Sequence, residues 1–160
     1  MFIEFADPAF EAHMLKSYDT DSDGKISADE AKAVKMISVS SEFGTVGSIT
    51  TLSGIEHFTR LEELYCNGNR ISTLDVSGLT KLTTLSCTQN QISTLNVSGL
   101  TQLEYLWCSN NQISTLDVSN NAKLGALSCD PNDNLTEIWL TKGQTIYEFH
   151  YPLSTEIKYK

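Results

Sequence analysis

With 20 Asp and Glu against 11 Lys and Arg, the 160-residue chain carries a net charge of −9, and nowhere do its bases gather as a nucleic-acid surface requires. No apolar run is long enough for a membrane span, and no signal peptide is visible. The acidity is concentrated: residues 1–30 hold eight acids and two bases, so the remaining 130 residues are close to balanced.

In chain order, Asp7 followed by Pro8 reads as a helix N-cap with proline at the first helical position. Phe10, Met14 and Tyr18 then recur at helical spacing. Residues 19–30, DTDSDGKISADE, fit the calcium-loop pattern D-x-[DN]-x-[DN]-G-x₅-E. By loop position, Asp19, Asp21 and Asp23 supply side-chain oxygens and Lys25 its backbone carbonyl. Ser27 acts directly or through water, and Glu30 with both carboxylate oxygens. Four anionic side chains around one point repel one another unless a cation neutralises them. An all-oxygen shell with a bidentate Glu favours Ca²⁺ over Mg²⁺. Ser27 and Glu30 also form the capping-box pattern S-x-x-E, which would start a short exit helix. Only one such loop is present, because DPNDNLTE (130–137) has Leu135 where the glycine should be. An EF-hand-like helix-loop-helix cap, stiffened by calcium, is therefore expected over residues 1–36.

From residue 37 the chain is periodic. Cys66, Cys87, Cys108 and Cys129 are each 21 residues apart, and Leu61, Leu64 and Asn69 recur at the same step. A fixed period of this length means stacked like units. The units begin LEELYCNGNRISTLDVSGLTK, and each opens L-x-x-L-x-C-x-x-N. Leu64 and Cys66 alternate with Glu63, Tyr65 and Asn67, the pattern of a strand with one buried face. Ile71, Leu74, Val76 and Leu79 line a return path rich in Ser, Thr and Gly, predicted as turns and 3₁₀ pieces. Ile37-Ser38-Val39 is predicted as the strand of an atypical first coil, and Ile49, Leu52, Ile55 and Phe58 form half a repeat. After one inserted residue, Leu135, Ile138 and Leu140 take the Ile71, Leu74 and Val76 roles. The tail TEIKYK (Thr155 to Lys160) reads as a last short strand that blunts an open edge. Each repeat Asn sits at a bend where backbone groups turn inward, and an amide satisfies donors and acceptors of neighbouring coils.

The four cysteines form a column along strands ~4.8 Å apart, so they extend over ~14 Å. Tetrahedral zinc needs four sulfurs ~2.3 Å from one point, and a disulfide needs Cβ atoms ~3.5–4.5 Å apart. Buried free thiols acting as small hydrophobes fit the spacing.

The repeat resembles the leucine-rich repeat, consensus L-x-x-L-x-L-x-x-N/C-x-L. With the calcium loop in front of the array, the chain is similar to bacterial internalin-like leucine-rich-repeat surface proteins. The resemblance implies a right-handed solenoid over residues 37–160 with a parallel sheet on its concave side. It also implies export or surface attachment. No catalytic pattern is present: His13, His57 and His150 are scattered, and there is no nucleophile elbow, H-E-x-x-H or P-loop. The chain is read as a monomeric interaction module, not an enzyme, with a protein or glycan as partner. The alternative is a calcium-stiffened spacer or adhesin fragment without its own ligand. The outward strand positions decide between them. Tyr65, Tyr105 and Trp107 are expected together there with Glu63 and Glu104 nearby, and bunched aromatics favour a binder.

Overall fold

Three-residue strands with a buried centre recur along the chain because only the middle side chain of each faces the stack. The computed structural model describes residues 1–41 and 47–160. The strands are β1 (Met36–Ser38), β2 (Glu63–Tyr65), β3 (Thr84–Ser86), β4 (Tyr105–Trp107), β5 (Thr115–Asp117), β6 (Ala126–Ser128), β7 (Glu137–Leu140), β8 (Glu148–His150) and β9 (Glu156–Tyr159). Among the described residues they form two parallel sheets, β1-β2-β3-β4-β6-β8 and β5-β7-β9. The result is a parallel-strand solenoid of stacked coils.

Register in the larger sheet follows the repeat. Ile37, Leu64, Leu85, Leu106 and Leu127 pair in one buried row that ends on the half-buried Phe149. Two residues later, Val39, Cys66, Cys87, Cys108 and Cys129 each donate a 2.8 Å backbone bond to the next coil. All four cysteines are free and fully buried. Leu61, Leu82, Leu103 and Leu124 close the bottom of the strands, and Ile71, Ile92 and Ile113 the top, all within one continuous core. Leu135, Ile138 and Leu140 are buried in the last full repeat, as their assigned roles require.

The Asn column works as its chemistry dictates. Asn90 Nδ2 donates to Cys66 O and Cys87 O, both at 3.0 Å, and its Oδ1 accepts from Ile71 N at 3.0 Å. Asn111 and Asn132 repeat this pattern one and two coils on. Asn69 bonds Val39 O at 2.9 Å, joining the first coil to the array.

Two features differ from the expected fold. The return path is not turns and 3₁₀ pieces throughout. A 3₁₀ turn does occur at Ile55–His57, but the last coils build the second sheet instead. The cause is local sequence: Glu137-Ile-Trp-Leu and Glu156-Ile-Lys-Tyr alternate and carry β-branched and aromatic residues, and they recruit Thr115–Asp117 as a third strand. The tail strand β9 therefore edges this second sheet. The larger sheet is closed by β8, where Phe149 and Tyr151 stand in the Leu and Cys positions with ring centroids 4.4 Å apart. Bulkier residues there cover the core that a further coil would otherwise cover.

At the other end, helix α1 (Pro8–Tyr18) and helix α2 (Ala28–Ala33) flank the acidic loop. Phe10, Met14, Ile26 and Ala31 are fully buried and continuous with the solenoid core. Strand β1 begins at Met36, one residue before the expected boundary. Asp7 ties cap to array. Its Oδ1 accepts from Ala9 N (2.9 Å) and Phe10 N (3.0 Å), and its Oδ2 accepts from Thr50 N and Thr50 Oγ1, both at 2.8 Å. Burial alone would raise this carboxyl, but the bonds from Thr50, Phe10 and Ala9 outweigh it and hold the group below 3.8.

The buried thiols give a pH test. Burial pushes Cys87 from 9.0 up to about 12, and burial with the charge of Asp130 does the same for Cys129. A raised folded pKa on an acid contributes stability that is full below the unfolded value and is lost as pH rises. The melting temperature is expected to fall between pH 9 and pH 12, and less steeply in Cys87→Ala. A thiol reagent at pH 8 should label essentially none of the four cysteines in the native chain and all of them in denaturant. Fast native labelling would show that the column is open to solvent.

Candidate functional site

Two places concentrate chemistry: the loop between the cap helices and the outward face of the larger sheet. In the loop, ligand oxygens of Asp19, Asp21 and Asp23 lie within 4.8 Å of one another. Backbone amides hold them there. Asp19 accepts from Asp23 N (3.2 Å) and Gly24 N (3.0 Å), Asp21 from Asp23 N (3.2 Å), and Asp23 from Lys25 N (2.9 Å). The tight path needs left-handed backbone at Gly24 (φ +81°), which glycine adopts without strain.

Glu30 is not part of that triad. Its carboxylate accepts from Ser27 N (2.9 Å), Ser27 Oγ (3.0 Å), Thr20 N (2.6 Å) and Thr20 Oγ1 (2.7 Å). These bonds, Ser27 N foremost, hold Glu30 down at about 2. Ser27 Oγ in turn accepts from Glu30 N at 3.2 Å, so the capping box is formed. The loop exit is pinned from the N-terminus, where Ile3 N donates to Ile26 O at 2.8 Å. The donor set is all oxygen and suits a hard divalent cation.

On the larger sheet, outward side chains form two columns. One runs Met36, Glu63, Thr84, Tyr105, Ala126 and Glu148; the other runs Ser38, Tyr65, Ser86, Trp107, Ser128 and His150. Tyr105 and Trp107 stack on each other, centroids 5.7 Å apart with 21° between planes. Tyr105 is 43 % exposed. Tyr65 lies two strands away across Ser86 in the same row. Its hydroxyl donates to Glu63 Oε2 at 2.8 Å, and that bond raises the phenol above its usual range. Thr84 and Ser86, nearly buried, leave a valley between the aromatic groups. Glu104 is exposed at the foot of β4 and lines a cleft of about 250 Å³ with Tyr105. The structure thus places Tyr65, Tyr105, Trp107, Glu63 and Glu104 on or beside one face. The sequence reading missed two residues of that face, Tyr147 and Glu148. Counting one inserted residue after Asn132 would have placed Glu148 opposite Ala126.

Among the described residues no helix is long and apolar enough to cross a membrane. A search of curated proteins finds no match. Similar solved structures include the functional domain of InlJ from Listeria monocytogenes, described as including a cysteine ladder. It is 25% identical, with a TM-score of 0.60, covering 93% of this chain and 38% of that one. An internalin, InlF, from Listeria monocytogenes str. 4b F2365 is 20% identical with a TM-score of 0.62, covering 97% and 55%. The chain therefore spans well under two thirds of either protein's length. The family model for leucine-rich repeats matches residues 59–100 and 80–146. Those matches take in more than half of the sequence and the Leu, Cys and Asn columns that build the stack, and the chain belongs to the leucine-rich-repeat family.

Proposed function

We propose that the chain is an exported bacterial interaction module that binds a protein or glycan on the outward face of its larger sheet, the face expected to be concave. The observation that carries this reading is the stacked, solvent-facing Tyr105–Trp107 pair beside a valley of small residues. Flat aromatics stack on sugar faces and anchor protein interfaces. Placement outside the cell or on its surface is part of the same proposal, supported by the likeness to Listeria internalin structures. The spacer reading draws on Thr84, Ser86 and Ser128, which offer little to a ligand, but it leaves the aromatic pair without a role.

The test is a glycan array and a surface-protein capture with the native chain and with Trp107→Ala. The variant should weaken any ligand found by ~2 kcal/mol or more while the melting temperature stays close to native. Unchanged binding by the variant removes the face from the account and leaves the spacer.

The proposal for the cap is one Ca²⁺ held by Asp19, Asp21, Asp23, the Lys25 carbonyl and Glu30, with Ser27 direct or through water. Its role is to stiffen the end of the solenoid, since repulsion among the three converged carboxylates is otherwise relieved only by hydrogen bonds. A cation that binds the folded form alone stabilises it by ~2.7 kcal/mol at 100 times its dissociation constant. Calorimetry should count one calcium per chain, and chelator should lower the melting temperature of the native chain but not of Asp19→Ala. A melting curve indifferent to calcium and chelator contradicts the site.

A further inference from the structure

The larger sheet carries a second, more specific feature at its C-terminal end. Two rows cross three successive coils. In one row Gly125 N donates to Glu104 O (2.9 Å) and Tyr147 N to Gly125 O (2.9 Å), so the order is Glu104, Gly125, Tyr147. The adjacent row is Tyr105, Ala126, Glu148. The outer coils each present one tyrosine and one glutamate, in opposite order, and the middle coil presents the two smallest available residues. This leaves a slot, the cleft of about 250 Å³ lined by Glu104, Tyr105, Gly125, Ala126, Tyr147 and Glu148, with Lys123 beside them. Its walls stand two strands apart, ~9.6 Å at the backbone. That spacing admits one side-chain stem between two rings.

The slot's lining holds two carboxylates against one ammonium, that of Lys123, so a negative excess remains. Among the described residues, neither Glu104 nor Glu148 takes part in a side-chain hydrogen bond or ion pair. Lys123 lines the cleft but donates to Gln102 Oε1 at 2.6 Å and forms an ion pair with neither glutamate. The outward columns of the sheet contain Glu63 and Glu148 and no Lys or Arg. Tyr147 is 86 % exposed with no hydrogen bond from its hydroxyl among the described residues, an open ring face beside the carboxylates. Aromatic faces and free carboxylates together favour a cation: the ring quadrupole attracts it and the carboxylates pair with it. A neutral sugar would use the rings but leave both charges unmatched, and an anion would be repelled.

We propose that this slot receives a lysine or arginine side chain of a partner protein, which makes the partner a basic protein surface rather than a glycan. The inference rests on the interaction reading of the same face and narrows it. The partner's cation sits over Gly125 and Ala126, flanked by Tyr105 and Tyr147, with Glu104 and Glu148 at opposite corners.

The experiment is an NMR titration of the full ¹⁵N-labelled chain. The probes are Nα-acetyl-arginine amide, Nα-acetyl-lysine amide, Nα-acetyl-glutamate amide and cellotriose. Saturable shifts are expected at the amides of Gly125, Ala126, Tyr147 and Glu148 with both cations, and none with the glutamate. The double variant Glu104→Gln, Glu148→Gln and the single variant Tyr147→Ala should each weaken the cations about two- to fivefold, the range of exposed ion pairs and cation–π contacts. Their melting temperatures should stay native, because these side chains carry no fold contacts of consequence. Absence of saturable cation shifts, equal shifts with the glutamate probe, or unaltered affinity in both variants each overturns the slot. Cellotriose shifting Tyr105 and Trp107 while neither cation shifts the slot overturns it too, yet leaves the wider interaction reading standing. That wider reading fails separately, on unchanged ligand binding by Trp107→Ala.

Discussion

The Asn amide that follows each repeat strand, used the same way in Asn90, Asn111 and Asn132, sets the geometry on which everything else rests. Each strand must turn sharply after its Cys, and the turn points carbonyls such as Cys66 O and Cys87 O into the stack. Asn90 answers both with its two N–H groups and takes Ile71 N on its oxygen. A buried backbone group left without a partner costs ~1–3 kcal/mol, so a coil without this amide would forfeit several such bonds. Because each Asn reaches back to the preceding coil, the spacing of 21 residues becomes a fixed register and not merely an average. The cysteine column is a consequence: small, apolar and buried, each Cys fills the space beside the bend.

Fixed register converts sequence position into surface position. Tyr105 and Trp107 share one side of β4, so they stack. Ala126 and Gly125 fall beside them in the next coil, and the residue inserted after Asn132 is absorbed in a turn before β7, so Tyr147 and Glu148 return to register. The core does not constrain the outward positions of this face, and there the side chains differ from coil to coil. The N-terminal helices pack on the array: Asp7 serves α1 and Thr50 together, and Phe5 approaches Phe58 with ring centroids 6.4 Å apart.

The stack was legible because periodicity is a strong signal and each column had a physical reason. The strands, the buried Leu and Cys columns and the Asn bonds all follow from spacing and amide chemistry. The second sheet was not legible, because Thr115–Asp117 has the same Thr-Leu-Asp as residues 73–75, which form no strand. What differs is the neighbour: only β7 and β9 offer a partner, and pairing is a property of two segments. The amide of Asn121 was likewise hidden. It stands where earlier coils have Leu79 and Leu100, and it bonds Val97 O and Leu100 O. Gln144 repeats the move one coil later on Val118 O and Asn121 O. In the loop, the acidic positions were plain from the motif, whereas the bonds of Glu30 to Thr20 were not.

The central claim is that the Asn amides bind coil to coil. Native-state hydrogen exchange on the wild-type chain and Asn90→Ala tests it most directly. The account predicts that Ile71 N, which bonds Asn90 Oδ1, loses its protection and that the coils on both sides of Asn90 exchange faster. The chain as a whole should lose roughly 2–4 kcal/mol, the cost of stranding several buried backbone groups. Protection of Ile71 N and overall stability both unchanged in Asn90→Ala would contradict it.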